Sequence, residues 1–459
     1  MRCIKVKVNK TEIVKNFITE EIKAGRIKSG HRLPSCREVA LKLSINKITV
    51  NKAYNDLEKE HVVFSIPRGG FYLVDSQSEA QVMKKEVDFY TVRPDEKLIP
   101  YREFTHAMNK AVDLYKNALF GYESTMGLST LRNTLSLEFE KDGIYTTPEN
   151  IVITHGAQQA IALILQCVFQ NGSGKLLVEV PTYNLLLKLA SNMGIDMIGI
   201  ERRVDGYDFK LMEQLFKKGD ISAFYVMPRH HNPTGYTLSE KHKQKIADLA
   251  CKYKVLIIED DYLGDLGSRK GVMPIHYYDT SKNTAYIRSF SKTFMPGIRL
   301  GAAVLHQSLL EAVARVKQLN DLNTSRLPQA ALDVFITSGM YEKQVKKVKK
   351  SYEAKLKRAT EIFKDLSDDK FHWHVPNHGI FLWIELPDYV DIKVLEKTLK
   401  SKEIIIKSSS EFFLKAWEEK NQGSSSDNFI RLCIAGVSKE ELDSLAIVIK
   451  EIRNLEEIK

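Results

Sequence analysis

Residues 289–301, SFSKTFMPGIRLG, hold the most reactive combination of side chains in the chain. Two hydroxyls, Ser289 and Ser291, precede Lys292, and Arg299 follows within eleven residues of the first serine. Hydroxyl and guanidinium groups bind phosphate, and a lysine amine in a partly desolvated site forms Schiff bases with aldehydes. The segment therefore predicts a phosphate anchored beside a nucleophilic amine, although a surface turn would have the same composition.

Three further groups of residues that could bind a ligand each follow a run of β-type residues. Gly156, Ala157 and Gln158 form a turn of small residues before a helical pattern, where free backbone N–H groups attract an anion. Tyr183 follows another run, and Asn232, whose amide can hold a ring hydroxyl, follows a third. Each also has a purely structural interpretation: the small-residue turn as a strand-to-helix connection, Tyr183 as a packed ring, and Asn232 as the start of a turn before proline.

Three consecutive carboxylates, Glu259, Asp260 and Asp261, end a fourth run and precede Tyr262. Buried carboxylates are costly unless they are paired or coordinate a cation. A metal site is one interpretation, but the further oxygen donors that a hard cation requires are not evident in the sequence. We therefore predict no metal.

The elements that position these residues are short apolar runs alternating with helical patterns, which is typical of an α/β fold with a parallel sheet covered on both faces. In such sheets ligands gather at the carboxyl ends of the strands, so we expect the groups to meet in one site. The predicted strands are Ile151–Thr154, Lys175–Val180, Ala223–Met227, Val255–Ile258 and Thr284–Arg288.

Positive charge is concentrated at the N-terminus. Of a net charge of +10, residues 1–74 contribute +8, from 15 Lys and Arg against 7 Asp and Glu, whereas the rest of the chain holds 53 basic and 51 acidic residues. This distribution favours a nucleic-acid-binding module, with a solvated basic surface as the alternative.

The order of elements in residues 1–74 is that of a winged helix-turn-helix domain. An amphipathic helix is predicted from Glu12 to Ala24, a second begins at Ser35 in a capping box with Glu38, and a third follows the turn at Ser44. Two β-type stretches joined by Pro-Arg-Gly-Gly then predict a hairpin wing. The third helix of such a domain enters the major groove of DNA; a protein-interaction module is the alternative.

The stretch AGRIKSGHRLPSCREVALKLSINKITVNKAYNDLEKEHVVFSIPRGGFYL resembles the DNA-binding domain of GntR-type bacterial regulators. It matches their LPS-x-RE opening and V-x-x-AY-x-x-LE recognition helix. Where relatives often have arginine and two threonines, this chain has Lys47-Ile48-Thr49, which suggests an unusual operator. The resemblance implies that the DNA-contacting residues are Arg37, Asn46, Lys47, Thr49 and Asn51, with Arg68 and Gly69 in the wing.

From about Phe120 onward the chain resembles the fold-type-I aminotransferases, which use pyridoxal 5′-phosphate (PLP). The resemblance implies Lys292 as the Schiff-base lysine, Asp260 as the partner of the pyridinium nitrogen, Asn232 and Tyr262 at the ring hydroxyl, and Tyr183 stacked on the ring. It implies that Lys292, Asp260 and Tyr262 are catalytic. It also implies that Ala157, Gln158, Ser289, Ser291 and Arg299 hold the phosphate, and that Arg431 binds a substrate carboxylate.

The fusion of the two parts resembles the MocR-type transcriptional regulators, whose PLP-binding body serves mainly as a sensor. We expect PLP or an amino compound as effector, acting through Lys292, and a double-stranded DNA operator as partner. Many MocR-type proteins carry H-Q-x-P-x-G where this chain has His231-Asn232-Pro233-Thr234-Gly235, closer to genuine aminotransferases. An active aminotransferase and a scaffold with vestigial PLP motifs are therefore alternatives.

Composition sets the remaining expectations. The chain is 43% hydrophobic and 27% charged, has no apolar run of membrane-spanning length, and its five cysteines are scattered. We expect a cytoplasmic homodimer. We predict a DNA-binding domain over residues 1–74, a linker over 75–92 and an aminotransferase-like body over 93–459, with a large subdomain over about 120–315 and a small one mainly over 330–459.

Overall fold

The computed structural model describes residues 9–28, 30–60, 62–66, 69–74, 86–121, 124–267, 272–366, 372–418 and 426–456. The chain divides into two compact units, residues 1–85 and 86–459. Within the described ranges, no helix combines the length and the apolar composition that a membrane span requires.

The first unit contains three helices and a hairpin: α1 (Lys10–Lys23), α2 (Cys36–Leu43), α3 (Lys47–Lys59), β1 (Val63–Ile66) and β2 (Gly70–Leu73). The capping box predicted at the start of α2 is present, with the Ser35 side chain accepting the Glu38 N–H and the Glu38 side chain accepting the Ser35 N–H. Ser44 adopts φ 53° and turns the chain into α3. α2, the turn at Ser44 and α3 form the expected helix-turn-helix. β1 and β2 pair antiparallel and form the expected wing.

The core of this unit forms where the apolar faces of the helices meet the hairpin. The apolar stripe of α3, formed by Val50, Ala53, Tyr54 and Leu57, is buried against residues of α1, α2 and the wing. The Tyr54 hydroxyl donates to the Pro34 carbonyl oxygen at 2.8 Å, which satisfies the polar end of an otherwise apolar contact. The opposite side of α3 is thereby left exposed.

The second unit alternates strands and helices through most of its length. Its elements are β3 (Val87–Asp88), α4 (Tyr101–Tyr115), α5 (Ser129–Glu140), β4 (Ile151–Thr154), α6 (Ala157–Val168), β5 (Lys175–Val180), α7 (Asn184–Asn192), β6 (Met197–Glu201), α8 (Phe209–Lys217), β7 (Ile221–Val226), α9 (Glu240–Tyr253), β8 (Leu256–Asp261), α10 (Ile275–Tyr278), β9 (Thr284–Ser289), β10 (Gly301–Val304), α11 (Gln307–Asp321), α12 (Arg326–Thr337), α13 (Met340–Leu366), β11 (His372–His374), β12 (Phe381–Glu385), α14 (Ile392–Ser401), β13 (Ile404–Ile405), α15 (Lys415–Glu418), β14 (Phe429–Cys433) and α16 (Leu445–Asn454).

A seven-stranded sheet in the order β4-β10-β9-β8-β7-β5-β6 forms the centre of this unit. The five predicted strands are all in it. Two strands of the sheet were not predicted: β10, which is antiparallel to both its neighbours, and the edge strand β6. Their sequences explain why they were not predicted: β10 is the short Gly-Ala-Ala-Val and β6 contains Gly199, and glycine and alanine are depleted in strands.

A smaller three-stranded antiparallel sheet, β11-β12-β14, packs with α13, α14 and α16 around a separate apolar core. Residues 86–92, which we predicted to be part of the linker, belong to the second unit instead. Val87 and Asp88 pair with Ile404 and Ile405, and the Phe89 ring is fully buried in the smaller core. The predicted linker is therefore wrong in its last seven residues, because pairing with a strand more than 300 residues away leaves no local pattern.

Candidate functional site

A cavity of about 430 Å³ lies at the carboxyl ends of the central strands. It brings together residues from the start of α6, the segments after β5 and β7, the ends of β8 and β9, and β14. Every residue proposed from the sequence for cofactor or substrate binding lines it: Ala157, Gln158, Tyr183, Asn232, Asp260, Tyr262, Ser289, Ser291, Lys292, Arg299 and Arg431.

Asp260 presents a carboxylate oxygen with an unfilled hydrogen-bonding capacity. The residue is 4% exposed, and its Oδ2 accepts the Tyr225 hydroxyl at 2.6 Å. Oδ1 is buried and has no hydrogen-bond partner among the described residues. Burial raises the pKa of Asp260 to about 7, with a smaller upward effect from neighbouring Asp261. A cationic N–H donor placed at Oδ1 would satisfy this oxygen and keep the carboxyl ionised.

The two neighbouring carboxylates have structural partners. Asp261 pairs with Arg229 and accepts the Tyr286 hydroxyl at 2.6 Å. Burial would raise the pKa of Asp261, but Arg229 and Arg288 hold it down at about 2. Glu259 accepts the Ile275 and His276 N–H groups. The described residues contain no group of histidine, cysteine and acidic side chains suited to a metal ion.

Lys292 lies on the loop after β9, and its Nζ donates to the Val92 carbonyl oxygen at 2.8 Å. Burial lowers the pKa of the Lys292 ammonium, and the positive charges of Arg299 and Arg431 lower it further. A larger fraction of the amine is therefore neutral, which is the nucleophilic form.

The end of the cavity near α6 is shaped for an anion. Gly156 has φ 78° and precedes the first turn of α6, where Ala157 and Gln158 line the cavity. Gly301 allows close approach, because a Cβ there would lie 2.7 Å from the Gly156 carbonyl carbon. Arg299 supplies positive charge beside this helix start, and the Ser289 and Ser291 hydroxyls supply further donors. Helix N-termini with adjacent arginine and hydroxyls suit phosphate.

Arg431 is 5% exposed and lies between aromatic rings. Its guanidinium carbon is 4.7 Å from the ring centroid of Phe381 and 4.6 Å from that of Phe412. Nη1 donates to Asn232 Oδ1 at 3.0 Å and Nη2 donates to the Tyr90 carbonyl oxygen at 2.8 Å, whereas Nε has no partner in the described part of the chain. A planar guanidinium with unused N–H groups suits bidentate binding of a carboxylate.

Tyr262 and Tyr183, which were predicted to lie at the hydroxyl and against the face of a bound ring, both line the cavity. The Tyr262 hydroxyl donates to the His230 carbonyl oxygen at 2.6 Å. Tyr183 follows β5, and burial raises the pKa of its hydroxyl to about 12, so the phenol stays neutral.

The structure also adds lining residues that sequence analysis missed, namely Tyr90, Thr91, Val92, Phe381 and Glu411. They come from the predicted linker and from the smaller subdomain. No motif marks them, since they reach the cavity only through long-range pairing.

The residues expected to contact DNA lie on the exposed side of the first unit. Arg37 is exposed on α2, Lys47 and Asn51 are exposed on α3, and Thr49 is half-buried. Asn46 is the N-cap of α3, where its Oδ1 accepts the Ile48 N–H at 2.9 Å. Gly69 lies in the turn before β2, with its N–H donating to the Ile66 carbonyl oxygen, and Arg68 lies outside the described residues.

Two known families match the chain. Aminotransferase class I and II matches residues 94–449, and the gntR family of bacterial regulatory proteins matches residues 10–73. The HTH-type transcriptional regulator YcxD of Bacillus subtilis is 38% identical over 77% of this chain and 81% of its own length. The HTH-type transcriptional regulator NorG of Staphylococcus aureus is 27% identical over 82% of this chain and 91% of its own length.

Solved structures support the fold of the larger unit. LysN, the α-aminoadipate aminotransferase of Thermus thermophilus, superposes with a TM-score of 0.72 at 21% identity, over 82% of this chain and 94% of that one. An archaeal alanine:glyoxylate aminotransferase gives 0.73 at 22% identity, over 95% and 97%. At these identities the likeness concerns the fold, which is the predicted fold-type-I α/β body.

Proposed function

The chain belongs to the class I and II aminotransferases and carries a gntR-family DNA-binding domain at its N-terminus, and from this premise we propose that it is a transcriptional regulator. In this proposal its aminotransferase-like body senses PLP or an amino compound at Lys292, and the helix-turn-helix unit binds an operator in double-stranded DNA. The observation that carries the proposal is that one chain contains both a DNA-binding unit and a cavity lined by the residues expected to bind PLP.

The fit of the cavity to PLP rests on unsatisfied groups. PLP supplies an aldehyde that bonds to amines and a pyridinium ring that withdraws electrons. The buried Asp260 Oδ1 has no donor among the described residues, and a pyridinium N–H would provide one; the start of α6 with Arg299 is suited to the phosphate. Lys292 would hold the aldehyde carbon, with Asn232 and Tyr262 at the ring hydroxyl and Tyr183 against the ring face.

The chain's own groups also suggest how an amino compound is oriented. Arg431 would bind the carboxylate, since its Nε is buried with no partner in the described part of the chain and the aromatic rings around it exclude water. The Lys292 amine would take up or release a proton at the carbon bearing the amino group, for which its lowered pKa is suited.

DNA binding is proposed to place the N-terminal end of α3 in the major groove. Arg37 and Lys47 would contact phosphates or base edges, with Asn46, Thr49 and Asn51 beside them and Arg68 and Gly69 in the wing. The exposure of these side chains and the +8 charge of residues 1–74 support this orientation.

Fluorescence anisotropy with DNA from upstream of the chain's own gene tests the proposal, comparing protein with and without PLP. We expect sequence-specific binding whose affinity or stoichiometry changes with PLP, or with an amino compound added to the PLP-loaded protein. Specific binding that responds to neither ligand would reject the sensing part. The absence of any specific binding would reject the regulator.

A catalytically active aminotransferase is the second candidate, favoured by Asn232 in an Asn-Pro-Thr-Gly loop and by the complete set of groups in the cavity. Conversion of an amino acid to its oxo acid at ordinary enzyme rates, without operator binding, would establish it. The scaffold alternative would be supported if Lys292→Ala leaves the absorption spectrum of the PLP-treated protein unchanged.

We further propose that the protein is a homodimer. We also propose that it acts in the cytoplasm, where its operator DNA would lie. Large apolar side chains are exposed near one another in sequence, with Leu319 at 89% and Leu322 at 57%, and Phe120 is 73% exposed on a segment that contacts α12. Exposed apolar surface of this kind is typical of an interface.

A further inference from the structure

Helix α13, which is 27 residues long, carries a concentration of positive charge that takes no part in the ligand cavity. Residues 343–358 contain seven lysines and one arginine against one glutamate, a net charge of +7. The remainder of residues 75–459 contains 45 basic and 50 acidic residues. The excess positive charge of the larger part of the chain therefore lies in one segment of one helix, and the rest of that part is net negative.

Two of these cations have structural partners. Lys355 is buried, and its Nζ donates to Asp95 Oδ2 at 3.3 Å and to the Ala435 carbonyl oxygen at 3.1 Å. Arg358 Nε donates to Asp443 Oδ1 at 2.8 Å. These contacts hold α13 against the body, so both cations have a task within the fold.

Most of the remaining lysines lie on the outer face of the helix. Lys343, Lys350 and Lys357 recur every seven residues, which places them on one side of the helix about 10 Å apart, and all three are exposed. Lys346 and Lys347 are exposed beside the first of them. We call these five residues the lysine row. The opposite side of α13 is buried, so packing fixes the lysine row toward solvent.

Three members of the lysine row lack an acidic partner within the described ranges. Lys343, Lys350 and Lys357 form no ion pair there. Glu353, the acidic residue between the last two, lies instead 3.5 Å from His378. Unpaired like charges along one face repel one another, and a polyanion placed against them would relieve that repulsion.

The surface around the lysine row favours a nucleic-acid backbone over protein or lipid. Among the described residues, the exposed large apolar side chains include none between 340 and 366. Protein interfaces bury apolar anchors and are depleted in lysine, and a helix that binds a membrane needs an apolar face. Single-stranded nucleic acid would need aromatic side chains against its bases, whereas phosphates of a duplex need only positive charge.

We infer that the lysine row is a second DNA-contacting surface, which binds the phosphate backbone of double-stranded DNA without reading its sequence. The choice of DNA rests on the proposed function, but the surface lies outside the helix-turn-helix unit. From Lys343 to Lys357 the row extends about 21 Å, and a duplex carries one charge per about 1.7 Å, so each lysine can meet a phosphate. The row acts at contact distance, because charges are screened beyond roughly 10 Å.

Chemical acetylation of lysines in the full-length protein, followed by mass spectrometry, tests the inference without changing the sequence. The probe is a long duplex of mixed sequence, at a concentration where anisotropy shows that the protein is bound. We expect the duplex to reduce acetylation of Lys343, Lys350 and Lys357 severalfold. Lys393 and Lys397, which are exposed on α14, should react at the same rate with and without DNA. A lysine row that reacts equally in the free and DNA-bound protein would overturn the inference.

A charge-matched pair of variants measures the strength of the contact. The first combines Lys343→Gln, Lys350→Gln and Lys357→Gln. The second makes the same change at three exposed lysines of α14, which are Lys393, Lys397 and Lys400. On the same duplex, the slope of log K against log salt should fall by about two to three in the first variant and stay nearly unchanged in the second. Equal slopes in the two variants would contradict a contact at α13.

Failure of the proposed function gives a different result, because a backbone contact forms on DNA of any sequence. A protein whose lysine row is protected by the mixed-sequence duplex, but which binds no operator specifically, rejects the regulator and keeps the surface. A protein that binds its operator specifically, but whose lysine row is acetylated as fast as in the free state, rejects only the surface.

Discussion

Asp260 and Asp261 are adjacent carboxylates at the end of β8, yet they meet opposite environments. Asp261 is ionised because Arg229 and Arg288 surround it, whereas Asp260 has a tyrosine hydroxyl on one oxygen and, within the described residues, no partner on the other. Two carboxyls with pKa values pushed apart in this way have separate roles. Asp261 holds the strands and loops together, and Asp260 is available to a ligand.

Replacing Asp260 with asparagine should change the pH dependence of stability in the ligand-free protein. Burial raises the pKa of Asp260 from 3.8 to about 7, so the protonated carboxyl favours folding below pH 4 and this contribution is lost as the pH rises through 7. We expect Asp260→Asn to have similar thermal stability at pH 4 and to gain relative to the wild type between pH 4 and 8. A difference in Tm that is constant with pH would contradict this.

Asp261→Asn is the matched control, with the opposite sign. Although burial opposes it, the pairing with Arg229 lowers the pKa of Asp261 from 3.8 to about 2. Its stabilisation is therefore present above pH 4 and is lost as the pH falls through 2. The variant should be less stable than the wild type at neutral pH, by about 3 kcal/mol or more for a broken buried pair.

Lys292→Ala should abolish covalent retention of PLP because no other amine is assigned to the aldehyde. Borohydride treatment of the PLP-loaded protein, followed by mass spectrometry, should attach the cofactor to the wild type and not to the variant. Lys188→Ala is the control, since Lys188 pairs with Glu411 at 2.9 Å and does not line the cavity. Retention by Lys292→Ala equal to that of the wild type would remove Lys292 from its role.

At the scale of elements, the start of α3 has both a structural and a proposed functional task. Asn46 caps the helix through Oδ1, which leaves its Nδ2 group for DNA. Cys36 Sγ lies 3.8 Å from Asn51 Oδ1, so α2 also constrains one of the side chains proposed to face the groove. The helix therefore presents side chains already held by the fold, which limits the conformational entropy lost on binding.

Removing the cap should loosen α3 without removing charge. Asn46→Ala should cost about 1 kcal/mol and accelerate exchange of the amide hydrogens in residues 48–50 by roughly fivefold. Asn46→Ser keeps a capping oxygen and should exchange at nearly the wild-type rate. If the serine variant also binds DNA like the wild type, the amide is not needed for the operator.

Lys47→Ala should weaken DNA binding at all sequences if Lys47 contacts phosphate. The slope of log K against log salt should fall by about one, because one counterion fewer is released. Lys23→Ala, on the exposed end of α1, removes the same charge elsewhere in the unit and should leave the slope nearly unchanged. An equal loss in both variants would mean that the effect is general electrostatics rather than the contact of α3.

At the scale of the whole molecule, the two units divide the charge between them. Residues 1–74 carry +8 of the net +10, so most of the long-range attraction to DNA resides in the smaller unit. The larger unit contributes a ligand cavity and, in the proposal, the dimer interface. Two DNA-binding units in one dimer would require an operator of two half-sites.

Leu319→Asp should weaken the proposed dimer by about tenfold or more, because it places a charge on an apolar interface. Analytical ultracentrifugation across a concentration series measures the effect. Val204→Asp is the control, since Val204 is also exposed, at 64%, but lies in a turn far along the chain from α11. Equal dimer affinity in both variants would place the interface elsewhere.

The sequence by itself determined the two families and most of the cavity. Lys292, Asp260 and the small-residue turn at Gly156 lie in short segments after strands, where spacing and residue type suffice to predict chemistry, and the structure brings them into one cavity. The winged helix-turn-helix was equally predictable, since its capping box and apolar stripe are local patterns.

Only the tertiary structure decided what surrounds those residues. It distinguished Asp260 from Asp261, because their partners Tyr225, Arg229 and Arg288 come from other strands and loops. It also brought Tyr90 and Val92, which the sequence assigned to the linker, into hydrogen bonds with Arg431 and Lys292. The physical reason is the same in both cases: hydrogen bonds and burial depend on atoms that the fold brings together, over separations of 27 to 341 residues that no sequence period records.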